Sequence, residues 1–262
     1  MRASFKLRNL LYDSEVSVTT SLKLFDQLVK PICMYGSEIW GYEFNKKNIL
    51  TSLFSSVEKA LCEKVHISFC RFILGVHKKS QLSAIRGELG RTPLALEALA
   101  NSLHYYKYLC NKSPTTLLSC AFKTSAVNHC VQSHKFWHGQ IIRLKELLGN
   151  ASARSRKSVL HHLRSLYSTH WWDKIHMESK MRTYTQFKSN LVMEDYLDIP
   201  ASKHRKEMTR LRISAHRLAI ERGRYNNTPL EERTCPTCEG QIIEDELAVS
   251  YTHLTLPTIH LV

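Results

Sequence analysis

Apolar residues return at spacings of three and four along most of this chain, and no run alternates apolar with polar over the length of a strand. That spacing puts the apolar residues on one face of an α-helix, so the sequence points to helices packed on helices. Within 19–40 the face carries Leu22, Leu24, Phe25, Leu28, Val29 and Ile32, and Pro31 should kink it or start a new turn. Over 53–74 it carries Leu53, Phe54, Val57, Leu61, Val65 and Phe69, with Gly75 placed to stop the helix. Ser80 is a candidate cap for a short helix over 81–89. Thr92, followed by Pro93 in the first turn, is a candidate cap for a longer helix reaching about Cys110. Residues 114–130 are weakly patterned, and helical spacing returns over 131–148, 156–168, 170–190 and 203–222. Nine glycines and seven prolines in 262 residues are few for a turn-rich β fold. The expectation is an all-α, irregular helical bundle, with 149–155 as the best linker.

The chain carries 37 Lys and Arg against 23 Asp and Glu, a formal net charge of +14. Such a balance calls for a polyanionic partner, nucleic acid or an anionic membrane surface. No stretch approaches the ~18 apolar residues of a membrane span, and the N-terminus lacks the apolar core of a secretory signal. Eight cysteines in that setting read as reduced intracellular thiols, in nucleus or cytoplasm, and not as a disulfide framework.

The charge is concentrated. Residues 203–224 hold eight Lys/Arg and two Glu, a net +6. Read as one helix, this segment has an inward stripe of Met208, Leu211, Ala215 and Leu218. Lys203, Arg205, Lys206, Arg210, Arg212, Arg217, Arg222 and Arg224 are then candidates for phosphate contacts, which suit the paired donors of a guanidinium. Downstream stands Cys235-Pro-Thr-Cys238, a spacing that lets two thiolates hold one zinc ion. A closed site needs two more ligands; His253, and then His260, are the histidines in reach along the chain. Two other groupings are weaker. Trp171 and Trp172, with Tyr167, offer either stacking platforms or core, and core is favoured. Cys130, His134 and His138 share a spacing of four, but no glutamate sits between them as a metalloprotease helix would require. No Gly-rich phosphate loop and no organised nucleophile–base set occurs, which argues against an independent hydrolase.

Residues 22–41 read Leu-Lys-Leu-Phe-Asp-Gln-Leu-Val-Lys-Pro-Ile-Cys-Met-Tyr-Gly-Ser-Glu-Ile-Trp-Gly. This resembles the thumb segment that follows the polymerase palm in reverse transcriptases of non-long-terminal-repeat (LINE-type) retrotransposons. Phe69-Cys-Arg-Phe-Ile-Leu-Gly-Val76 and Gly87-Glu-Leu-Gly-Arg-Thr-Pro93 are similar to the next two landmarks. The Arg-Leu-Arg-Ile…His-Arg-Leu…Glu-Arg-Gly-Arg-Tyr run and the Cys-Pro-x-Cys after it resemble the C-terminal region, in the same order. The resemblance implies thumb-like helices over 1–150, a basic helical region over 151–230 and a truncated knuckle over 231–248. Residues 249–262 resemble translated adaptor sequence and are set apart as a non-native tail.

The resemblance also implies what this chain leaves out. Such polymerases hold two divalent metals on paired aspartates of a Tyr-x-Asp-Asp turn, and no Asp-Asp pair occurs here. The chain is therefore expected to be a non-catalytic fragment that binds RNA or DNA beside the palm and endonuclease domains of the parent. Two alternatives stand beside it: a helical module whose basic face meets an acidic protein, and a truncated product without a function of its own.

Overall fold

The computed structural model describes residues 2–12, 16–41, 50–131, 137–236 and 242–249. They form an all-α, irregular helical bundle. The helices in chain order are α1 (Arg2–Tyr12), α2 (Val18–Leu28), α3 (Lys30–Met34), α4 (Ser37–Trp40), α5 (Leu50–Glu58), α6 (Leu61–Leu74) and α7 (Leu82–Glu88). There follow α8 (Ala95–Cys110), α9 (Leu117–Val131), α10 (Trp137–Leu148), α11 (Arg156–Met177), α12 (Tyr184–Phe187), α13 (Ser202–Arg212), α14 (Ala219–Tyr225) and α15 (Glu246–Ala248). Among the described residues β pairing is limited to two isolated antiparallel bridges, Leu89 with Met193 and Thr234 with Ile243.

The chain divides into two compact units, one of residues 1–69 and 91–172, the other of 70–90 and 173–262. In the first, Phe25 is fully buried and stacks on Phe69 at 4.6 Å and on His66 at 5.5 Å. Next to Phe25, Asp26 takes both terminal nitrogens of Arg91, whose Nε also donates to His66 Nε2 at 3.3 Å. Accepting at Nε2 leaves His66 Nδ1–H to donate to the buried Glu63 (3.3 Å), which also accepts from the Ala95 N–H at 3.1 Å. Burial alone would raise the Asp26 pKa, but the hydrogen bonds and charge of Arg91, with the charge of Lys30, leave it below the usual carboxylate range. Small residues let α4 approach α8: Ser102 Oγ donates to Ser37 O (3.1 Å) and Asn101 Nδ2 to Ser37 Oγ (2.7 Å). At the end of α4 there is no room for a side chain, because a Cβ on Gly41 would lie 2.4 Å from the Ala98 carbonyl oxygen.

The second unit closes around Ile85, Met181, Tyr184, Leu197, Ile213 and Ile220, all at most 2% exposed. Tyr184 Oη donates to Ala84 O at 3.4 Å, and the Leu89–Met193 bridge ties the end of α7 to the segment before α13. Gly90 turns the chain there in the left-handed region, φ +60°.

Several local expectations change. Pro31 does stand in the first turn of a new helix, and Gly75 stops α6 with φ +63°. The 53–74 helix is split after Glu58 by a turn at Lys59–Ala60. Ser80 and Thr92 do not cap: α7 starts after Gln81 and α8 after Leu94, neither with a side-chain cap. The weakly patterned 114–130 holds α9, whose described side chains are largely exposed, so it needs no apolar stripe to be helical. The 149–155 linker is a 3₁₀ turn over Gly149–Ala153 with Ala151 and Ser152 buried, inside the first unit and not at its boundary. The 170–190 helix ends at Met177, and the 203–222 helix breaks after Arg212.

Candidate nucleic-acid interface

The face that α13 turns inward is polar. Arg205 is 9% exposed and donates through Nη1 to Ile199 O at 2.6 Å. Burial lowers its pKa, with Asp198 opposing. One turn on, Thr209 is fully buried; its hydroxyl donates to Arg205 O (2.9 Å) and meets Tyr196 Oη at 2.8 Å. A further turn brings Arg212 onto Glu88 and Glu194, with contacts of 3.1 Å and 2.6 Å. Tyr196 donates to the same Glu88, and burial together with that carboxylate raises its phenol far above the usual range. Burial pulls the Arg212 pKa down, but Glu88 and Glu194 outweigh it and raise the value. Arg205 and Arg212, both candidates for phosphate, are thus taken up in holding α13 to its own unit.

After Arg212 the helix gives way. Ser214 adopts φ +53°, a left-handed conformation that costs a non-glycine residue strain, and its hydroxyl donates to Glu246 Oε1 at 2.6 Å. His216 Nε2 bonds the same oxygen at 2.9 Å, while the Leu218 N–H donates to its Nδ1 at 3.2 Å. Burial works to raise the Glu246 pKa, but hydrogen bonds from His216 and Ser214 hold it down at about 2. α14 then starts with the Ala219 N–H donating to Glu244 at 2.6 Å. In α14, Arg224 is engaged by Glu221 (3.1 Å) and Ser179 O (2.8 Å), whereas Arg222 is 59% exposed with Glu244 at 4.0 Å.

Of the candidate residues, Lys203, Arg210, Arg217 and Arg222 are exposed, and Lys206 is half-buried with its stem over Gly75. The apolar stripe does not pack inward. Met208 is 46% exposed, and Met208, Leu211, Ala215 and Leu218 line an open groove of about 1030 Å³ together with Gly75 and Val76. The reason is twofold: Arg205 and Thr209 occupy the buried side of α13, and the turn at Ser214 takes Ala215 and Leu218 off the helix. The sequence reading also missed His77, Lys78 and Lys79. These exposed residues follow the Gly75 stop, whose carbonyl accepts from Arg210 Nε (3.2 Å) and Nη2 (3.1 Å). The local signal was a Lys-Lys pair after a helix stop; its nearness to Arg210 is tertiary.

Many acids of this unit are engaged internally. Glu88 and Glu194 hold Arg212, Glu221 meets Lys180 at 3.2 Å, and Asp245 meets Arg182 at 3.3 Å. Glu178 accepts from Ser83, and Glu246 from Ser214 and His216.

Cys235 follows an isolated bridge of Thr234 with Ile243, and its N–H donates to Ile242 O at 2.9 Å. Cys235 is 6% exposed. Cys238, His253 and His260 lie outside the described residues, and among the described residues no three His, Cys, Asp or Glu gather to hold a metal. Of the residues named for zinc, Cys235 is the one among the described residues, and it lies buried beside the Thr234–Ile243 bridge. Tyr167 and Trp171 are core, with Tyr167 Oη donating to Glu58 at 2.7 Å. His138 packs against Tyr106 and Phe122; His134 and the Cys130 side chain lie outside the described set. No helix of the described residues is long and apolar enough to cross a membrane. No family model, curated protein or solved structure matches the chain.

Proposed function

We propose that this chain is a non-catalytic, nucleic-acid-binding portion of a LINE-type RNA-directed DNA polymerase, holding template RNA or target DNA by its phosphates. The observation that carries this reading is a segregation of charge. Arg210 and Arg217 stand exposed on one groove, His77–Lys79 follows directly from its edge, and Lys203 and Arg222 are exposed on the same unit. Glu88, Glu194, Glu221 and Asp245 are meanwhile drawn into internal pairs, which leaves Glu207 as the acid among the groove's lining residues. A surface on which exposed arginine and lysine outnumber the acids binds a phosphate chain by releasing its counterions. The sequence adds the landmarks of the thumb and C-terminal regions, and the want of an Asp-Asp pair keeps polymerisation out of this reading.

The test is fluorescence anisotropy of a labelled oligouridine as salt is raised. Each single-strand phosphate contact lowers the slope of log K against log salt by about 0.7. With about four contacts, affinity falls roughly fiftyfold between 50 and 200 mM salt. Binding that does not change over that range, or no binding at the low-salt end, overturns the reading.

A further inference from the structure

We propose that the groove between Gly75–His77 and α13 is a docking site for an acidic amphipathic helix of a partner protein. This goes beyond nucleic-acid binding and does not depend on it. The described floor is aliphatic: Val76, Met208, Leu211, Ala215, Leu218 and Val249 line it, with no Phe, Tyr or Trp among the lining residues. The groups on which unpaired bases stack, His77, His204, His216, Arg210 and Arg217, also line the groove, so a phosphate chain would use these polar residues and leave the aliphatic row unmatched. The aliphatic floor suits a row of leucine-like side chains at i, i+3, i+4 and i+7, the face an amphipathic helix lays into a groove. Methionine, flexible and polarizable, adapts to such a row, and Met208 is the most open of the floor residues.

The rim sets the sign of the partner. Arg210 and Arg217 border the floor, with His77 and His204 beside them and Glu207 as the acid among the lining residues. Acidic side chains flanking the apolar row would meet those arginines, and complementary charge both speeds encounter and fixes register. A volume of about 1030 Å³ is at the top of the ~300–1,000 Å³ range of small-ligand pockets, so it exceeds what a lone phosphate needs. Residues 250–262, which continue from Val249, contain no Asp or Glu and so have no acidic side chain to offer the rim.

The experiment uses the full chain and two fluorescent probes. One is a designed acidic helix of about 18 residues with leucines at i, i+3, i+4 and i+7 and glutamates on both flanks. The other is an oligouridine. The peptide is expected to bind with a Kd of roughly 1–50 µM. Met208→Gln, at an exposed site that folding tolerates, weakens it by about tenfold, and Arg217→Gln weakens it by about fivefold. Oligouridine binding is indifferent to Met208→Gln. Raising salt to about 0.5 M removes the oligonucleotide while part of the peptide affinity persists, because its apolar contacts are not screened. No peptide binding at about 100 µM overturns the proposal, as does peptide binding that is unmoved by Met208→Gln. Loss of oligouridine binding alone bears only on the nucleic-acid reading.

Discussion

Arg212 reaches a carboxylate that has no exposure at all: its Nε and Nη2 lie 3.1–3.3 Å from the oxygens of Glu88, whose side chain is 0% exposed. The same guanidinium holds Glu194 at 2.6 Å, and Tyr196 donates to Glu88 from the other direction. One arginine of the basic segment thus bridges two acids inside the second unit, with Lys188 supplying a second cation at Glu194.

Replacing Arg212 with alanine leaves the buried Glu88 charge without its cation. Removing one partner of such a pair costs about 3–5 kcal/mol, because the remaining charge stays desolvated. Urea unfolding should show that loss for Arg212→Ala. Arg217→Ala, at an exposed side chain, should stay within about 0.5 kcal/mol of the parent. Equal stability of the two variants would remove Arg212 from the scaffold.

Gly41 marks a second constraint. A methyl group there meets the Ala98 carbonyl oxygen at 2.4 Å, and the obstacle is backbone, which cannot swing away. Gly41→Ala must push α4 off α8, breaking the Ser102–Ser37 bond on the way. The expected cost is about 1–3 kcal/mol, the usual range for overpacking. A melting temperature unchanged from the parent would show that α4 and α8 are not in this close contact.

These two cases explain how much of the fold could be read in advance. The helical period, the Gly75 stop and the new turn at Pro31 depend on local spacing and backbone restriction, so the sequence carries them openly. α9 escaped because an exposed helix needs no apolar stripe. The break at Ser214 escaped because a serine in the left-handed region is held there by Glu246, 32 residues away in sequence. For the candidate site the charge was legible but its allocation was not. Arg205 and Arg212 look no different from Arg210 and Arg217 in sequence; only the positions of Ile199, Glu88 and Glu194 separate them. Several landmark residues prove to be fasteners: Asp26 of Leu-Phe-Asp holds Arg91, and Glu88 holds Arg212.

Glu246 gives the second unit an acid-sensitive joint. Its pKa falls from an ordinary 4.5 to about 2. A group whose folded pKa is depressed contributes stability that is fully present above its unfolded pKa and lost as pH falls through the folded value. A drop of about 2.5 at about 1.36 kcal/mol per pKa step corresponds to an order of 3 kcal/mol, lost between about pH 4.5 and pH 2. Near-ultraviolet circular dichroism during acid titration should therefore show the unit loosening across that window. Glu246→Gln should be less stable than the parent at pH 6, and the gap should close toward pH 2. A constant gap across the window would mean that the carboxylate is not the source.

The basic segment itself predicts a division of labour among its arginines. Arg217→Gln and Arg222→Gln remove exposed charges, so each should reduce the magnitude of the salt slope for oligouridine by about 0.7 while stability stays within about 0.5 kcal/mol. Arg205→Gln should do the reverse. Its guanidinium donates to the Ile199 carbonyl from a nearly closed site, and a shorter amide cannot keep that bond without moving α13. The cost is about 1–3 kcal/mol of stability, the penalty for an unsatisfied buried polar group, with the salt slope unchanged in the folded fraction. Anisotropy titrations at four or so salt concentrations, paired with unfolding curves for each variant, separate the two classes. A slope that falls with Arg205→Gln and not with Arg222→Gln would place the phosphate path along the inner side of α13 and displace the interface proposed above.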